Sequence, residues 1–337
     1  MKTLQTSFDL FRMARYHRSI LGLVTTAVLS IVHINARAEN ITVTHWGASF
    51  YGAPYAVAME KGWFKTAKFD VTGIITSTGG GTSVRNTLAS NIPIGEVALP
   101  AAIEAVRAGA KLKIIYSGVG SVADQVWGTR PGQPFNSLQD LKGKKIGYTR
   151  PASVTNMLIL MALDRQGMKA SDVELVSVGG TGAILAAVMQ GSIDAGNISE
   201  PLWTRDKDKL KAVFWVKDVM SPIMTQTVGI TTEEFMQKRP DALKAVIDGR
   251  RKGVQFIYSN PNEAADIMSK LHKWDMQVTR DVFALLVKEK WWDEGRFNLE
   301  GMNAMLEGLR IVGQLKGDVD WNSLIDERLL PEDLRKK

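Results

Sequence analysis

Three loops combine small residues with hydroxyl groups directly before a predicted helix. They span residues 79–83 (GGGTS), 151–155 (PASVT) and 179–181 (GGT). Glycines let backbone N–H groups approach a bound group closely, and the positive end of a helix favours an anion. A single loop of this kind predicts only an ordinary helix cap, whereas two from different halves of the chain indicate a shared anion pocket. The candidate ligand contacts in these loops are Gly81, Thr82, Ser83, Ser153 and Thr155.

One cation stands beside these loops. Arg150 directly follows the predicted strand 144–148 and directly precedes the loop 151–155. A guanidinium at such a strand end can hold a planar carboxylate or sulfonate through paired N–H bonds. The alternative is a solvated loop charge, and Arg150 is therefore a candidate ligand contact with two open interpretations.

Aromatic and polar side chains near other strand ends complete the candidate set. Trp46 and Tyr51 follow the first predicted strand and suit an aromatic wall, although Trp46 equally suits a core position. Glu200 follows the predicted strand 193–198, where its carboxylate can accept a hydrogen bond from a ligand or brace a hinge. The two remaining candidate contacts are Ser117 and Trp203.

Residues that many enzymes and metal sites need are scarce. The 337 residues include no cysteine, and only His45 and His272 lie beyond residue 38. Cysteine nucleophiles and thiolate metal sites are excluded, and a zinc site from two distant histidines is not expected. The glycine run 79–81 lacks the spacing and the lysine of nucleotide-binding loops. We predict a binding protein that is not an enzyme and carries no cofactor or metal.

The charge distribution indicates no nucleic-acid partner. Lys and Arg number 42 against 35 Asp and Glu, for a formal charge of +7, and part of this excess lies in the first 38 residues. No dense Lys/Arg run with interleaved aromatic residues occurs, as nucleic-acid binding would favour. We expect a monomer that binds a small molecule.

The first 38 residues have the pattern of a secretory signal peptide. Three arginines precede an apolar run over 20–32, and residues 36–38 (ARA) supply the small side chains of a cleavage site. The alternative is a membrane anchor, but the run is shorter than the ~20 apolar residues that span a bilayer. We predict cleavage after Ala38 and a periplasmic protein that, having no cysteine, carries no lipid anchor.

The elements that must position the candidate residues alternate between strands and helices. From residue 39 to about 230, short apolar runs and helical segments recur on the scale of βαβ units, which predicts an α/β fold. Two extended connections, near 117–127 and 220–230, suggest two lobes joined by a hinge. We predict residues 1–38 as signal peptide, 39–122 plus 225–337 as the first lobe and 123–224 as the second.

Local signals predict how several helices begin. Ser153 and Thr181 are predicted N-caps, and residues 260–263 (NPNE) have the composition of a capping box. The tryptophans at 274, 291 and 292 are predicted on late amphipathic helices, where they pack between helices and lobes rather than against a ligand.

Five segments, in order, are similar to those of a known family. They are 53–64 (APYAVAMEKGWF), 79–83 (GGGTS), 138–147 (LQDLKGKKIG), 189–195 (MQGSIDA) and 200–201 (EP). Together they resemble periplasmic binding proteins of the nitrate, sulfonate, taurine and thiamine-precursor type, over roughly residues 41–235. The resemblance implies a two-lobed fold of type II kind, each lobe a mostly parallel sheet flanked by helices, with extra C-terminal helices.

The resemblance also implies closure of the two lobes on a small organic ligand and delivery to the membrane permease of an ABC importer. In sulfonate binders of this family a small, hydroxyl-rich loop is expected where this chain has Arg150 and Pro151, which leaves a carboxylate or an aromatic acid open as the ligand. Two alternatives remain. One is an enzyme on the same fold, such as an aromatic sulfinate desulfinase or a pyrimidine synthase, which the absence of cysteine disfavours. The other is a periplasmic sensor that partners a membrane receptor.

Overall fold

The computed structural model describes residues 39–64 and 69–336. The predicted signal peptide therefore lies outside the described residues. Within the part of the chain that the structure describes, no helix has the length and apolar character needed to cross a membrane.

Two five-stranded sheets form the framework. The first contains β1 (Glu39–Thr44), β2 (Val71–Ser77), β3 (Gly95–Ala98), β4 (Leu112–Ser121) and β10 (Ile223–Thr232), in the order β2-β1-β3-β10-β4. The second contains β5 (Val126–Thr129), β6 (Lys145–Tyr148), β7 (Glu174–Ser177), β8 (Ala195–Asn197) and β9 (Lys211–Trp215), in the order β7-β6-β8-β5-β9.

The two sheets share one topology. In the first, β10 is antiparallel to both of its neighbours while the other observed pairs are parallel, and β5 has the same role in the second. Each sheet is thus mixed, with a single reversed strand. We call each sheet with the helices packed on it a lobe, and this architecture confirms the predicted two-lobed α/β fold.

The described residues of the α/β part of the chain form seven helices. They are α1 (Ala53–Glu60), α2 (Gly81–Ala89), α3 (Leu99–Arg107), α4 (Val154–Arg165), α5 (Thr181–Gln190), α6 (Leu202–Asp206) and α7 (Val216–Val219). Short 3-10 turns occur at Gln139–Leu141, Ala170–Asp172, Lys207–Lys209 and Glu332–Leu334. Because α2, α3, α4 and α5 each follow a strand by a short loop, their N-termini lie at the carboxyl ends of the strands, where open α/β sheets bind ligands.

The chain passes from the first lobe to the second after β4 and returns through β10. These two strands are antiparallel neighbours, with Ser121 paired to Ile223 and Val119 paired to Thr227. Both overlap the segments near 117–127 and 220–230 that the sequence predicts as hinge connections, and their role as a hinge stays a prediction. The exact bounds predicted for the lobes stay a prediction.

The C-terminal third is helical, as the sequence predicts. It comprises α8 (Glu233–Lys238), α9 (Pro240–Ser259), α10 (Pro261–His272), α11 (Met276–Lys288), α12 (Leu299–Met305), α13 (Glu307–Ile311) and α14 (Trp321–Leu324). In this region α12 packs on β10, while α13 packs on α4 of the second lobe. The added Cβ of an alanine at Gly308 would stand 2.8 Å from the backbone of Met157, so the two helices approach closely.

Two local predictions about this region need correction. Asn260 is the N-cap of α10 and Pro261 its first residue, as predicted, but the Asn260 side chain makes no capping hydrogen bond; its amide N–H donates to Ser259 Oγ. The three late tryptophans lie in the loops after α10 and α11 rather than on helices. Trp291 and Trp292 are nevertheless buried, and they pack edge to face at 5.2 Å between ring centroids.

A buried ion pair ties the first lobe together. Arg250 on α9 donates from Nε to Glu96 on β3 at 2.8 Å, and its other nitrogens donate to the carbonyls of Gly118 and Asp293 at 2.6 Å each. Glu96 also accepts from Tyr55 and Thr227. Since nearly every polar atom of the pair is satisfied, the charges are tolerated in a core that excludes water.

Candidate functional site

A cavity lies between the two lobes where the loops after their strands meet. Its walls are formed by Thr44, His45, Ser49, Tyr51, Gly79, Gly80, Ala98, Gln125, Thr149, Ser153, Val154, Thr155, Thr181, Ser199 and Thr227. None of these side chains is a carboxylate, lysine or arginine, and nine carry a hydroxyl group. The cavity is therefore lined mainly by neutral hydrogen-bonding groups.

Four helices begin at this cavity. Gly80 and Ala98 are the N-caps of α2 and α3, Ser153 is the N-cap of α4, and Thr181 is the first residue of α5. None of the four helices has an acidic residue in its first turn. Their positive ends are thus left without a compensating charge from their own first turns, and their potentials add in the enclosed space.

Capping differs between α4 and α5. Ser153 Oγ accepts from the backbone N–H of Asn156 at 3.1 Å, which confirms the predicted cap. The predicted cap of α5 is wrong, because Gly180 is the N-cap and Thr181 already has helical conformation. With a glycine as cap, no side chain of α5 accepts from its first N–H groups, and the Thr181 hydroxyl lies at the cavity.

Hydroxyl groups of the second lobe form a linked set at the start of α4. Thr155 Oγ1 accepts from the backbone N–H of Thr149 at 2.9 Å and lies 2.9 Å from Thr149 Oγ1 and 3.0 Å from Ser153 Oγ. A hydroxyl donates one hydrogen and accepts two, so this set can turn its hydrogens toward a bound acceptor. Of the predicted contacts, Tyr51, Ser153 and Thr155 are the three that line the cavity.

Arg150 reaches across the mouth of the cavity. Its Nε donates to Thr78 Oγ1 at 2.7 Å, joining the second lobe to the first. Its Nη2 lies close to Gly179, just before α5. No ion pair to Arg150 is found among residues 39–64 and 69–336, so the guanidinium has donors available beside the starts of α2 and α5.

A second contact between the lobes at the mouth of the cavity involves the backbone. Gly80 has φ +55°, and a Cβ at this position would stand 2.8 Å from the carbonyl oxygen of Pro151 on the other lobe. The lobes therefore touch here at a distance that only glycine permits.

His45 joins the wall with a positive φ of 52°. Burial, together with the charge of Arg150, lowers the pKa of its imidazole to about 4. The ring is consequently neutral at pH 7, with one nitrogen free to accept a hydrogen bond and one to donate.

Behind Tyr51 and Gln125 lies a buried carboxylate that the sequence analysis missed. Asp124 accepts from Trp291 Nε1 and from Gln125 Nε2, each at 2.7 Å. Tyr51 stacks on Trp291 at 5.0 Å and donates to Gln226. Burial raises the pKa of Asp124 to about 6, because no cation offsets the loss of hydration.

Glu200 is buried but turned to its own chain. Its carboxylate accepts from the backbone N–H and the hydroxyl of Thr204, at 3.1 and 2.9 Å, so it faces the first turn of α6 rather than the cavity. Burial raises the pKa of Glu200 to about 7. It follows Ser199, which does line the cavity.

The other predicted contacts lie outside the cavity wall. Trp46 packs on His272 at 5.0 Å, and Trp203 packs on Trp215 at 5.3 Å. Ser117 donates to Asp293 at 2.8 Å.

Three predicted contacts belong to α2. Thr82 accepts from Arg85, and Gly81 also lies near that side chain. Ser83 is fully buried, bonded to Ser77 and to Thr44 Oγ1, and so supports a cavity residue from behind.

Several lining residues were missed although a signal for them exists. Thr44, Ala98, Thr149 and Ser199 each stand at or just after the end of a strand, the position at which α/β sheets bind ligands. Gln125 and Thr227 have no such signal, because they lie on the segments that cross between the lobes.

Comparison with known proteins gives sequence relatives named for binding. A candidate binding protein of Brucella abortus is 28% identical over 263 residues, covering 75% of this chain and 78% of its own. A candidate aliphatic sulfonates-binding protein of Bacillus subtilis is 26% identical, covering 68% of this chain and 70% of its own.

Solved structures share the fold at lower identity. The periplasmic aliphatic sulphonate binding protein SsuA of Escherichia coli has a TM-score of 0.68 at 16% identity, covering 86% of this chain and 91% of its own. The ligand binding component of an ABC-type import system of Staphylococcus aureus has a TM-score of 0.69 at 14% identity, covering 86% and 96%. The desulfurization enzyme DSZB has a TM-score of 0.60 at 13% identity, covering 87% and 97%. The fold thus carries both binding proteins and an enzyme.

A family model described as NMT1/THI5 like matches residues 49–264, a span that includes α1 to α9 and nearly all of the cavity wall. The match covers more than half of the chain, and the chain therefore belongs to the NMT1/THI5-like family and has the fold of periplasmic binding proteins.

Proposed function

We propose that this protein is an exported periplasmic binding protein that captures a small organic acid between its two lobes and presents it to the membrane permease of an ABC importer. The relatives and fold neighbours named for ligand binding support a binding role. The transport partner is inferred from the import component of Staphylococcus aureus and from the periplasmic SsuA.

The observation that carries the proposal is the meeting of four helix N-termini in one cavity without a carboxylate in their first turns or in the wall. An acid group placed there gains from the helix ends and accepts from hydroxyls and backbone N–H groups. A cation would gain nothing from the helix ends.

Arg150 supports an acidic ligand and a closing motion together. Its guanidinium spans the mouth through the bond to Thr78 and retains donors for the ligand. Because this bond and the close approach of Gly80 to Pro151 join the two lobes beside the cavity, we expect the lobes to part to admit a ligand and then to close on it.

The ligand class is open between sulfonates, carboxylates and aromatic acids. The B. subtilis relative and SsuA favour a sulfonate, whereas the arginine and proline at 150 and 151 favour a carboxylate or aromatic acid. Nitrate and taurine belong to the same set of anions and zwitterions to be tested.

Thermal unfolding of the purified protein against paired compounds tests the proposal. Each acid is matched with a neutral isostere, for example an alkanesulfonate with the corresponding methyl sulfone and a benzoate with the benzamide. A ligand at ~100 times its dissociation constant adds about 2.7 kcal/mol of stability, which raises the unfolding midpoint. We expect shifts with at least one acid and not with its neutral partner. Shifts confined to neutral or cationic compounds would refute the acidic ligand.

A further inference from the structure

A groove runs outward from the inner cavity, between the two lobes. Its wall is largely apolar and includes Ala48 of the first lobe, Pro201 and Leu202 of the second, and Trp274 and Val278 near the start of α11. Trp274 belongs to an aromatic stack, with His272 at 4.8 Å between ring centroids. None of these side chains is needed for the capture of an acid group.

The groove adjoins the inner cavity on both lobes. Thr181 lines both spaces on the side of the second lobe. On the first lobe Gly47 and Ala48 line the groove, while Ser49, directly after Ala48, and His45, two residues before Gly47, line the cavity. A molecule with one end in the cavity can therefore extend directly into the groove.

The two spaces differ greatly in size. The inner cavity has a volume of about 20 Å³, close to the space that one water molecule needs, and the groove has about 340 Å³. An acid group therefore enters the inner cavity only as the lobes part, and an alkyl or aryl chain attached to it has to lie in the larger groove.

The charges at the groove suit an acid with an apolar tail. Arg205 and Lys273 stand at its rim, and Asp275 is engaged as the N-cap of α11, where it accepts from Val278 N–H at 2.9 Å. Arg205 is itself paired with Asp206. No described carboxylate is left facing the apolar floor.

We propose that the groove is a second subsite, which takes the alkyl or aryl tail of an organic acid whose acidic group occupies the inner cavity. This inference rests on the proposed function and narrows the ligand to acids with an apolar tail. It predicts that the protein prefers such acids to small inorganic anions and to acids with one carbon.

Titration calorimetry with straight-chain alkanesulfonates of one to eight carbons, repeated with the matching carboxylates, tests this subsite. Burial of methylene groups should raise affinity about tenfold or more between one and four carbons, and the gain should level off once the tail fills the groove.

A substitution that fills the groove provides the decisive comparison. Gly182 lines the groove on α5, and a Cβ at this position meets nothing within 4 Å. Gly182→Leu should therefore lower the affinity ratio of octanesulfonate to methanesulfonate at least tenfold. Gly182→Ala serves as the small control, and Ala183→Leu places the same leucine one residue away on an exposed position of α5. Both controls should keep the wild-type ratio.

The outcomes separate the two proposals. An affinity that is flat along the series, or a ratio that Gly182→Leu does not change, overturns the tail subsite and leaves acid capture standing. Failure of every acid to bind, in this series and among the aromatic acids, nitrate and taurine of the thermal unfolding panel, overturns both.

Discussion

Arg150 brings a guanidinium to the mouth of a cavity whose other groups are neutral. It follows β6 directly, so the strand fixes where its backbone stands, and the bond to Thr78 fixes where its side chain reaches. Its position was predictable from the sequence as a strand end, but its bond to the other lobe was not, because nothing in the sequence pairs residues 78 and 150.

Arg150→Ala should weaken an acidic ligand by roughly 1.5–3 kcal/mol, the range for a hydrogen bond to a charged group. Calorimetric titration with the best acid of the panel measures the loss. Arg165→Ala, which removes an exposed arginine at the far end of α4, is the matched control and should bind as wild type. Unchanged affinity of Arg150→Ala would remove this residue from the site.

Glu200 offers a test through pH. Burial raises its pKa to about 7 from 4.5, so the folded protein binds more protons than the unfolded chain between these values. The contribution of Glu200 to stability is therefore full below pH 4.5 and is lost as pH rises to 7. Glu200→Gln lacks this titration and keeps the cap on α6, because its amide oxygen can still accept from Thr204.

We expect the stability of Glu200→Gln relative to wild type to increase from pH 4.5 to 7 by an amount on the order of 3 kcal/mol. Urea unfolding at several pH values measures it. His45→Gln provides a comparison of opposite sign. The pKa of His45 is lowered to about 4, so its titration makes the wild type gain stability as pH rises. Parallel stability curves for wild type and Glu200→Gln would contradict the buried position of this carboxylate.

At the scale of elements, the starts of α2, α3, α4 and α5 make the site. The segments at the starts of α2, α4 and α5 stood out in the sequence because they combine glycines with hydroxyl residues, and Ser153 and Thr155 indeed line the cavity. The sequence could not show which hydroxyls turn inward. Ser83 faces the core and Thr82 faces Arg85, although both lie in the first turn of α2.

The predicted caps of α5 and α10 differ from the observed ones in detail. Thr181 has the chemistry of a cap, yet the glycine before it takes that position and leaves the hydroxyl for the cavity. The residues of a capping box were present at 260–263, but the Asn260 amide bonds to its neighbour instead.

Gly80→Ala tests the contact of α2 with the other lobe. The added Cβ would stand 2.8 Å from Pro151 O, so the lobes could not close fully, and we expect affinity for the acid to fall at least tenfold while the fold is retained. Gly143→Ala is the matched control, because Gly143 also has a positive φ, of 72°, but an added Cβ there meets nothing within 4 Å. Equal losses of affinity in the two variants would mean that backbone strain, and not the contact between lobes, is responsible.

At the scale of the whole molecule, two sheets of identical topology are connected through β4 and β10, which are neighbouring strands of the first sheet. The alternation of strands and helices made this architecture predictable, and the paired segments β4 and β10 lie where hinge connections were expected. The packing of α13 on α4 was not predictable, since short amphipathic helices do not show which neighbour they cover.

The buried pair of Arg250 and Glu96 should dominate the stability of the first lobe. Arg250→Leu leaves Glu96 buried without its cation, and we expect a loss of about 3–5 kcal/mol in urea unfolding. The adjacent Arg251 pairs with Glu294 and Asp333 near the surface, and Arg251→Leu should cost at most about 1 kcal/mol. Similar losses for the two variants would contradict the central place of this ion pair.

The central claim is that an acid group is held between the lobes at the meeting of four helix N-termini. A crystal structure of the protein with the acid that gives the largest thermal shift tests it most directly. We predict the acidic oxygens within hydrogen-bonding distance of Ser153, Thr155 and Arg150, with any apolar tail in the groove beside Gly182. An acid group bound outside this cavity, or pointing away from the helix starts, would contradict the account.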